Sequence, residues 1–123
     1  MTVRYGMVGG GPGALIGKVH RMAAALDGGY ELVAGAFSSD PAKSKAAGMD
    51  LGLNPGRAYD SYQVMAESEN ALTERDSIEL VSIVTPNHLH HAVARIFLQK
   101  GVHVICDKPL TTTVEDAEDL CDL

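Results

Sequence analysis

Short apolar runs alternate with helix-patterned segments along the whole chain, and this alternation is what most limits its fold. Residues 3–8 (VRYGMV) form an apolar run that enters a glycine cluster, and predict a first strand. Apolar residues then recur at Leu15, Val19, Met22, Ala23 and Leu26, the spacing of one helical face. Gly28 and Gly29 stop that helix. Residues 30–37 (YELVAGAF) predict a second strand. Asp40 caps the following helix, with Pro41 in its first position, and Gly48 ends it. Ala58 and Tyr59 predict a short third strand, and Asp60 or Ser61 caps a helix running to Leu72. Residues 78–84 (IELVSIV) are almost continuously apolar, as suits a central parallel strand covered on both faces. Asn87 caps a helix carrying Leu89, Val93, Ile96 and Phe97, closed by Lys100 and Gly101. Residues 102–106 give the last strand, and a final helix starts near Val114.

Strands that alternate with helices imply a parallel sheet with helices on both sides. Right-handed crossovers then give an α/β, doubly wound sheet of Rossmann type. The 123 residues make one domain with enough chain for a core. No apolar run can span a bilayer, and the N-terminus lacks the basic and apolar regions of a secretory signal. A cytoplasmic protein without a membrane partner is expected. The net charge of −6 opposes general nucleic-acid binding, which needs Lys and Arg on phosphates. It leaves room for a nucleotide cofactor held by backbone N–H groups and a helix dipole. Cys106 and Cys121 form no CxxC pair and no zinc cluster, and Cys106 reads as a small buried residue.

Ligands of doubly wound sheets bind at the carboxyl ends of the strands. The distinctive residues of this chain follow strand ends. Gly9-x-Gly11-x-x-Ala14 fits the dinucleotide loop pattern. Gly9 permits the tight turn, Gly11 lets backbone approach a pyrophosphate, and a small Ala14 lets the helix pack on the strand. Because the loop is glycine-rich, Gly13 or Gly17 can also take the third role. A flexible turn without ligand is the competing reading, but the strand–loop–helix setting favours binding. At the end of the second strand, Ser38 occupies the place of an acid that would select NAD. A hydroxyl there, with Lys43 one helical turn on, favours NADP, while Asp40 within reach of a ribose keeps NAD open.

Thr85, Pro86 and Asn87 follow the central strand, where a rigid turn offers hydrogen-bonding groups to a cofactor. Of the neighbouring histidines only His88 and His91 share a face, without a carboxylate near them in sequence, so no metal is expected. His90 is the one placed to line the pocket, or else to serve the structure. His20 and His103 read as structural. Asp107-Lys108-Pro109 lies just past the last strand. A lysine there can stabilise a developing alkoxide or relay a proton, with Asp107 orienting it. The competing reading is an exposed ion pair before a proline turn.

The segments GGGPGALIGKVH, ELVAGAFSSDPAK, VSIVTPNHLHH and GVHVICDKPLTTT together resemble the Gfo/Idh/MocA family, the glucose–fructose oxidoreductase and inositol dehydrogenase group. The resemblance implies an NAD(P)-binding N-terminal domain and hydride transfer to or from a sugar, inositol or related polyol. The family's Glu-Lys-Pro motif falls on Asp107-Lys108-Pro109, which makes Lys108 the catalytic lysine, with Asp replacing Glu. Its Thr-Pro-Asn motif falls on Thr85, Pro86 and Asn87, and its following histidine on His90. The family also has a second α/β domain that supplies substrate contacts, a catalytic histidine and usually the oligomer interface. That domain is not in these 123 residues, so they are expected to be the cofactor-binding half of a homo-oligomeric enzyme. Alone, they are expected to bind cofactor weakly at best and to turn over no substrate. A stand-alone nucleotide-binding or redox-sensing module without catalysis is the alternative. A methyltransferase-like site would leave Asp107-Lys108-Pro109 without a role.

Overall fold

The computed structural model describes residues 2–11 and 13–123. Four parallel strands form one sheet: β1 (Val3–Gly9), β2 (Tyr30–Ala36), β3 (Leu80–Val84) and β4 (His103–Cys106), in the order β2-β1-β3-β4. The helices are α1 (Leu15–Ala25), α2 (Pro41–Asp50), α3 (Tyr62–Asn70), α4 (His90–Gln99) and α5 (Val114–Cys121). The chain leaves β1 for β2 on one side and returns to β3 on the other. The β1/β3 boundary is therefore the point where strand order reverses, where the carboxyl edge opens into a crevice. This is the doubly wound α/β sheet that the alternation predicted. Among the described residues no helix is long and apolar enough to cross a membrane.

Strand alternation sends side chains to two cores. Val8, Val81 and Ile83 face α3, α4 and α5, where they pack with Met65, Val93 and Phe97. Tyr5 and Met7 face the other way and pack with Phe37 of the β2–α2 turn and Ala47 of α2. The predicted third strand is absent. Ala58 makes only an isolated parallel bridge to Gly35. A short 3-10 turn (Pro55–Arg57) precedes it and the Ser61 cap of α3 follows, which leaves too few extended residues for a ladder. Side chains hold this edge instead. Ser44 Oγ donates to the Tyr59 carbonyl at 2.6 Å and accepts from the Phe37 N–H at 3.0 Å.

Helix ends follow the cap chemistry with three differences. Asp40 and Ser61 accept N–H groups from the first turns of α2 and α3 as expected. Gly48 does not end α2, which runs on to Asp50; it is buried inside the helix because a Cβ there would lie 2.5 Å from that of Ala58. α3 stops at Asn70, short of Leu72. Asn87 caps nothing with its side chain; it opens a 3-10 turn (Asn87–Leu89), and α4 starts at His90.

The largest departure is in α1. Its apolar stripe is turned outward, with Leu15, Val19, Met22 and Leu26 all exposed. The residues that meet the sheet are Gly17, His20, Arg21 and Ala24, which share a face at i, i+3, i+4 and i+7. Polar side chains thus occupy core-facing positions of this helix.

The carboxyl side chain of Glu69 on α3 is only 2% exposed. It is fully partnered: Arg57 donates through Nε at 3.1 Å and Nη2 at 2.6 Å, Tyr59 through its hydroxyl at 2.6 Å, and Ile78 through its N–H at 3.1 Å. Burial, and then the hydrogen bond to Glu69, hold the Tyr59 phenol above its usual range. Breaking a buried pair leaves an uncompensated charge, so Glu69→Ala is expected to cost about 3 kcal/mol in urea unfolding. A loss under about 1 kcal/mol would show that the network contributes little.

Candidate active site at the carboxyl edge of the sheet

The glycine loop is shaped by backbone contact. Gly9 and Gly10 have φ of 85° and 77°, values that L side chains rarely adopt. A Cβ on Gly9 would lie 3.0 Å from the Val84 carbonyl, so the ends of β1 and β3 meet directly. A Cβ on Gly11 would lie 2.8 Å from the Phe37 carbonyl. A Cβ on Gly17 would lie 2.5 Å from the Gly10 Cα. The close helix–strand packing assigned first to Ala14 therefore belongs to Gly17, because Gly17 is buried under the loop while Ala14 is exposed. Arg21 latches the loop from below, donating from Nη1 to the Gly10 carbonyl at 3.1 Å.

Ala14 caps α1 without a side-chain hydrogen bond, and the first turn of α1 carries no acid. α2, α3 and α5 each have a side-chain cap. Among the described residues no side chain takes the first N–H groups of α1, and the positive end of the helix dipole lies behind them. A cleft of about 880 Å³ runs from this loop along the ends of β1, β2 and β3. That falls within the roughly 300–1,000 Å³ typical of ligand sites. A smaller cleft of about 460 Å³ lies on the other side of the loop and is flanked by Gly13, Lys18 and Arg21. Glycines that a Cβ would crowd, unclaimed N–H groups and adjoining cations fit a pyrophosphate.

Gly9, Gly11, Ala14, Ser38, Thr85 and Pro86 all line the larger cleft, and Gly13 lines the smaller. Ser38 also accepts the Asp40 N–H at 3.1 Å, and Asp40 is engaged at the start of α2. Lys43 lies on the same wall, as does Asp60, a carboxylate considered from sequence only as a cap. Asn87 is exposed outside the cleft lining.

His90 lies beneath the cleft wall, 2% exposed. Its Nδ1 is 2.7 Å from the Pro109 carbonyl and its Nε2 3.2 Å from the Thr85 carbonyl. Both ring nitrogens thus face backbone carbonyls, the shorter contact being to Pro109, and the ring lies between the segment after β3 and the segment after β4. Asp107 is half-exposed, and Lys108 and Pro109 are exposed and joined by a cis peptide. Among the described residues no hydrogen bond or ion pair holds the Lys108 ammonium. Burial and then the adjacent Asp107 charge push the Cys106 thiol up, as befits a quiet packing residue.

His91 has carboxylate neighbours that sequence proximity did not reveal. Asp119 and Asp116 of α5 lie 2.7 and 3.7 Å from its ring nitrogens. Arg95 also donates to both Asp119 oxygens at 2.6 Å. The hydrogen bond from His91, and then that from Arg95, hold the Asp119 carboxyl below its ordinary range. This cluster is an ion-pair network between α4 and α5.

Two glycine substitutions separate packing from conformation. Gly17→Ala forces α1 off the loop and should cost about 1–3 kcal/mol. Gly13→Ala meets no atom within 4 Å, so at φ of 84° it should cost only the left-handed backbone penalty of about 1 kcal/mol. Equal losses in thermal or urea unfolding would contradict the close-contact assignment to Gly17.

Known proteins resemble this chain in sequence and fold. The uncharacterized oxidoreductase YfiI of Bacillus subtilis is 40% identical over 119 residues, 96% of this chain and 30% of its own length. An oxidoreductase from Sinorhizobium meliloti superposes with a TM-score of 0.91 at 56% identity, over 99% of this chain and 33% of that one. An inositol dehydrogenase homologue from Azotobacter vinelandii, complexed with NADH and myo-inositol, gives a TM-score of 0.95 at 43% identity, over 99% of this chain and 32% of that one. The chain therefore spans about a third of the length of these relatives. Residues 3–123 match the family described as "Oxidoreductase family, NAD-binding Rossmann fold" (GFO_IDH_MocA), and the chain belongs to that family.

Proposed function

We propose that this chain is the nicotinamide-dinucleotide-binding part of an NAD(P)-dependent dehydrogenase that acts on a sugar, inositol or related polyol. The observation that carries this reading is the glycine loop at the β1/β3 crevice, beside the uncapped start of α1. The pyrophosphate lies against Gly9, Gly11, Gly13 and Ala14, with Lys18 and Arg21 adding positive charge. Thr85 and Pro86 flank the dinucleotide farther along the crevice, and Asn87 and His90 belong to the same edge. A bound nicotinamide supplies the hydride acceptor or donor at its C4. Lys108 would meet the oxygen of the reacting carbon, where it stabilises the charge that develops and relays the hydroxyl proton, with a histidine of the further domain as the proton's other partner. The myo-inositol bound by the Azotobacter vinelandii relative supports the polyol class.

NADP is the favoured cofactor, since Ser38 and Lys43 share the cleft wall at the end of β2. Asp60, which lines the same cleft, is the observation that favours NAD. In the intact enzyme we expect a homo-oligomer in the cytoplasm. Substrate contacts come from a further domain, and the 123 residues alone turn over no polyol.

Titration with NADPH and NADH, followed by ligand fluorescence, tests the reading. Saturable binding of either is expected, tighter for NADPH. Lys43→Ala should weaken NADPH by about tenfold or more, as loss of a charge-assisted hydrogen bond would, and leave NADH within about twofold. Binding of neither nucleotide would contradict the proposal. Equal weakening of both would contradict the NADP preference.

A further inference from the structure

Gly17, His20, Arg21 and Ala24 form the sheet-facing side of α1, where an ordinary surface helix would present apolar side chains. Arg21 is accounted for by its latch on Gly10. His20 is not used by the dinucleotide cleft. Its Nδ1 lies 2.7 Å from Oγ of Ser82, a 4%-exposed hydroxyl on β3, and its Nε2 lies 3.1 Å from Oδ1 of Asp107, just past β4. The imidazole itself is largely covered, with 17% of the side chain exposed against 46% for Asp107. A single ring therefore links α1, the middle of β3 and the carboxyl end of β4.

We propose that His20 is a positioning residue for Lys108. The inference rests on the reading of Lys108 as the proton-transfer group. Asp107-Lys108-Pro109 is gripped at both ends by histidines. His20 holds the Asp107 carboxylate from the α1 side, and His90 holds the Pro109 carbonyl from the α4 side. Among the described residues no hydrogen bond or ion pair restrains the Lys108 side chain between them. Its backbone is fixed while its side chain stays free to meet a substrate oxygen, the division that preorganised proton transfer requires. The hydrogen-bond roles follow from chemistry. A carboxylate accepts only, so Nε2–H donates to Asp107 and Nδ1 accepts from the Ser82 hydroxyl. Asp107, which only accepts, thereby sets the tautomer, and the Ser82 hydroxyl adapts to donate to the remaining nitrogen and helps orient the ring.

Long-range ¹H–¹⁵N spectra of the chain should show neutral His20 as the Nε2–H tautomer. Backbone order parameters at Asp107 and Lys108 should be near the rigid value of about 0.85. His20→Ala should lower them below about 0.6, into the flexible range. His20→Gln places an N–H where Nε2 was and should restore order. His20→Asn reaches only towards Ser82 and should not. An Nδ1–H tautomer would overturn the inference, as would order that survives His20→Ala or is lost equally in all three variants. The tautomer is read on the unmutated chain, so an Nδ1–H form would overturn the inference even if a variant fails to fold. These spectra need no ligand. A chain that bound no dinucleotide yet showed the expected tautomer and rescue would count against the oxidoreductase reading of the site and uphold the His20 clamp.

Discussion

Backbone touching backbone at Gly10 and Gly17 is the constraint on which the site depends. With a Cβ on Gly17 only 2.5 Å from the Gly10 Cα, no side chain fits between α1 and the end of β1. α1 must therefore start close against the strand, and its first N–H groups open onto the crevice. The same approach brings Arg21 under the loop and His20 over β3. A looser packing would admit apolar side chains between helix and sheet. The loop would then lose both its shape and its latch.

Polar ties at buried positions do the remaining positioning. Each links segments that are distant in sequence. Glu69 joins the edge at Arg57 and Tyr59 to the entry of β3 at Ile78. His90 joins the end of β3 to the turn after β4, and His20 joins both of these strands to α1. Buried polar groups are costly unless partnered. Among the described residues every buried side-chain nitrogen and oxygen has a partner. Such ties favour one geometry over many, at some expense in the apolar burial that the same positions would otherwise give.

The alternation of strands and helices was legible because it depends on local periodicity and turn chemistry. The Asp40 and Ser61 caps and the apolar β3 run are local signals and were read correctly. Ala58 was not, since a two-residue strand depends on side chains from α2 rather than on its own pattern. The outward stripe of α1 misled for a related reason. Hydrophobic spacing shows that a helix has an apolar face, but not which face meets the sheet. The spacing of Gly17, His20, Arg21 and Ala24 was the available signal, and a polar inner face obscured it. The carboxylates opposite His91 lie 25 and 28 positions away and the Ser82–His20–Asp107 link spans 62 positions or more, so no local motif encodes them.

The loop's role as a dinucleotide seat is the central claim, and amide shift mapping during an NADH titration addresses it most directly. The account predicts the largest changes at Gly9, Gly10, Gly11, Leu15 and Ile16, with further changes at Ser38 and Thr85 along the crevice. Changes confined to the outer face of α1, around Val19 and Met22, with the glycine amides unmoved, would contradict it.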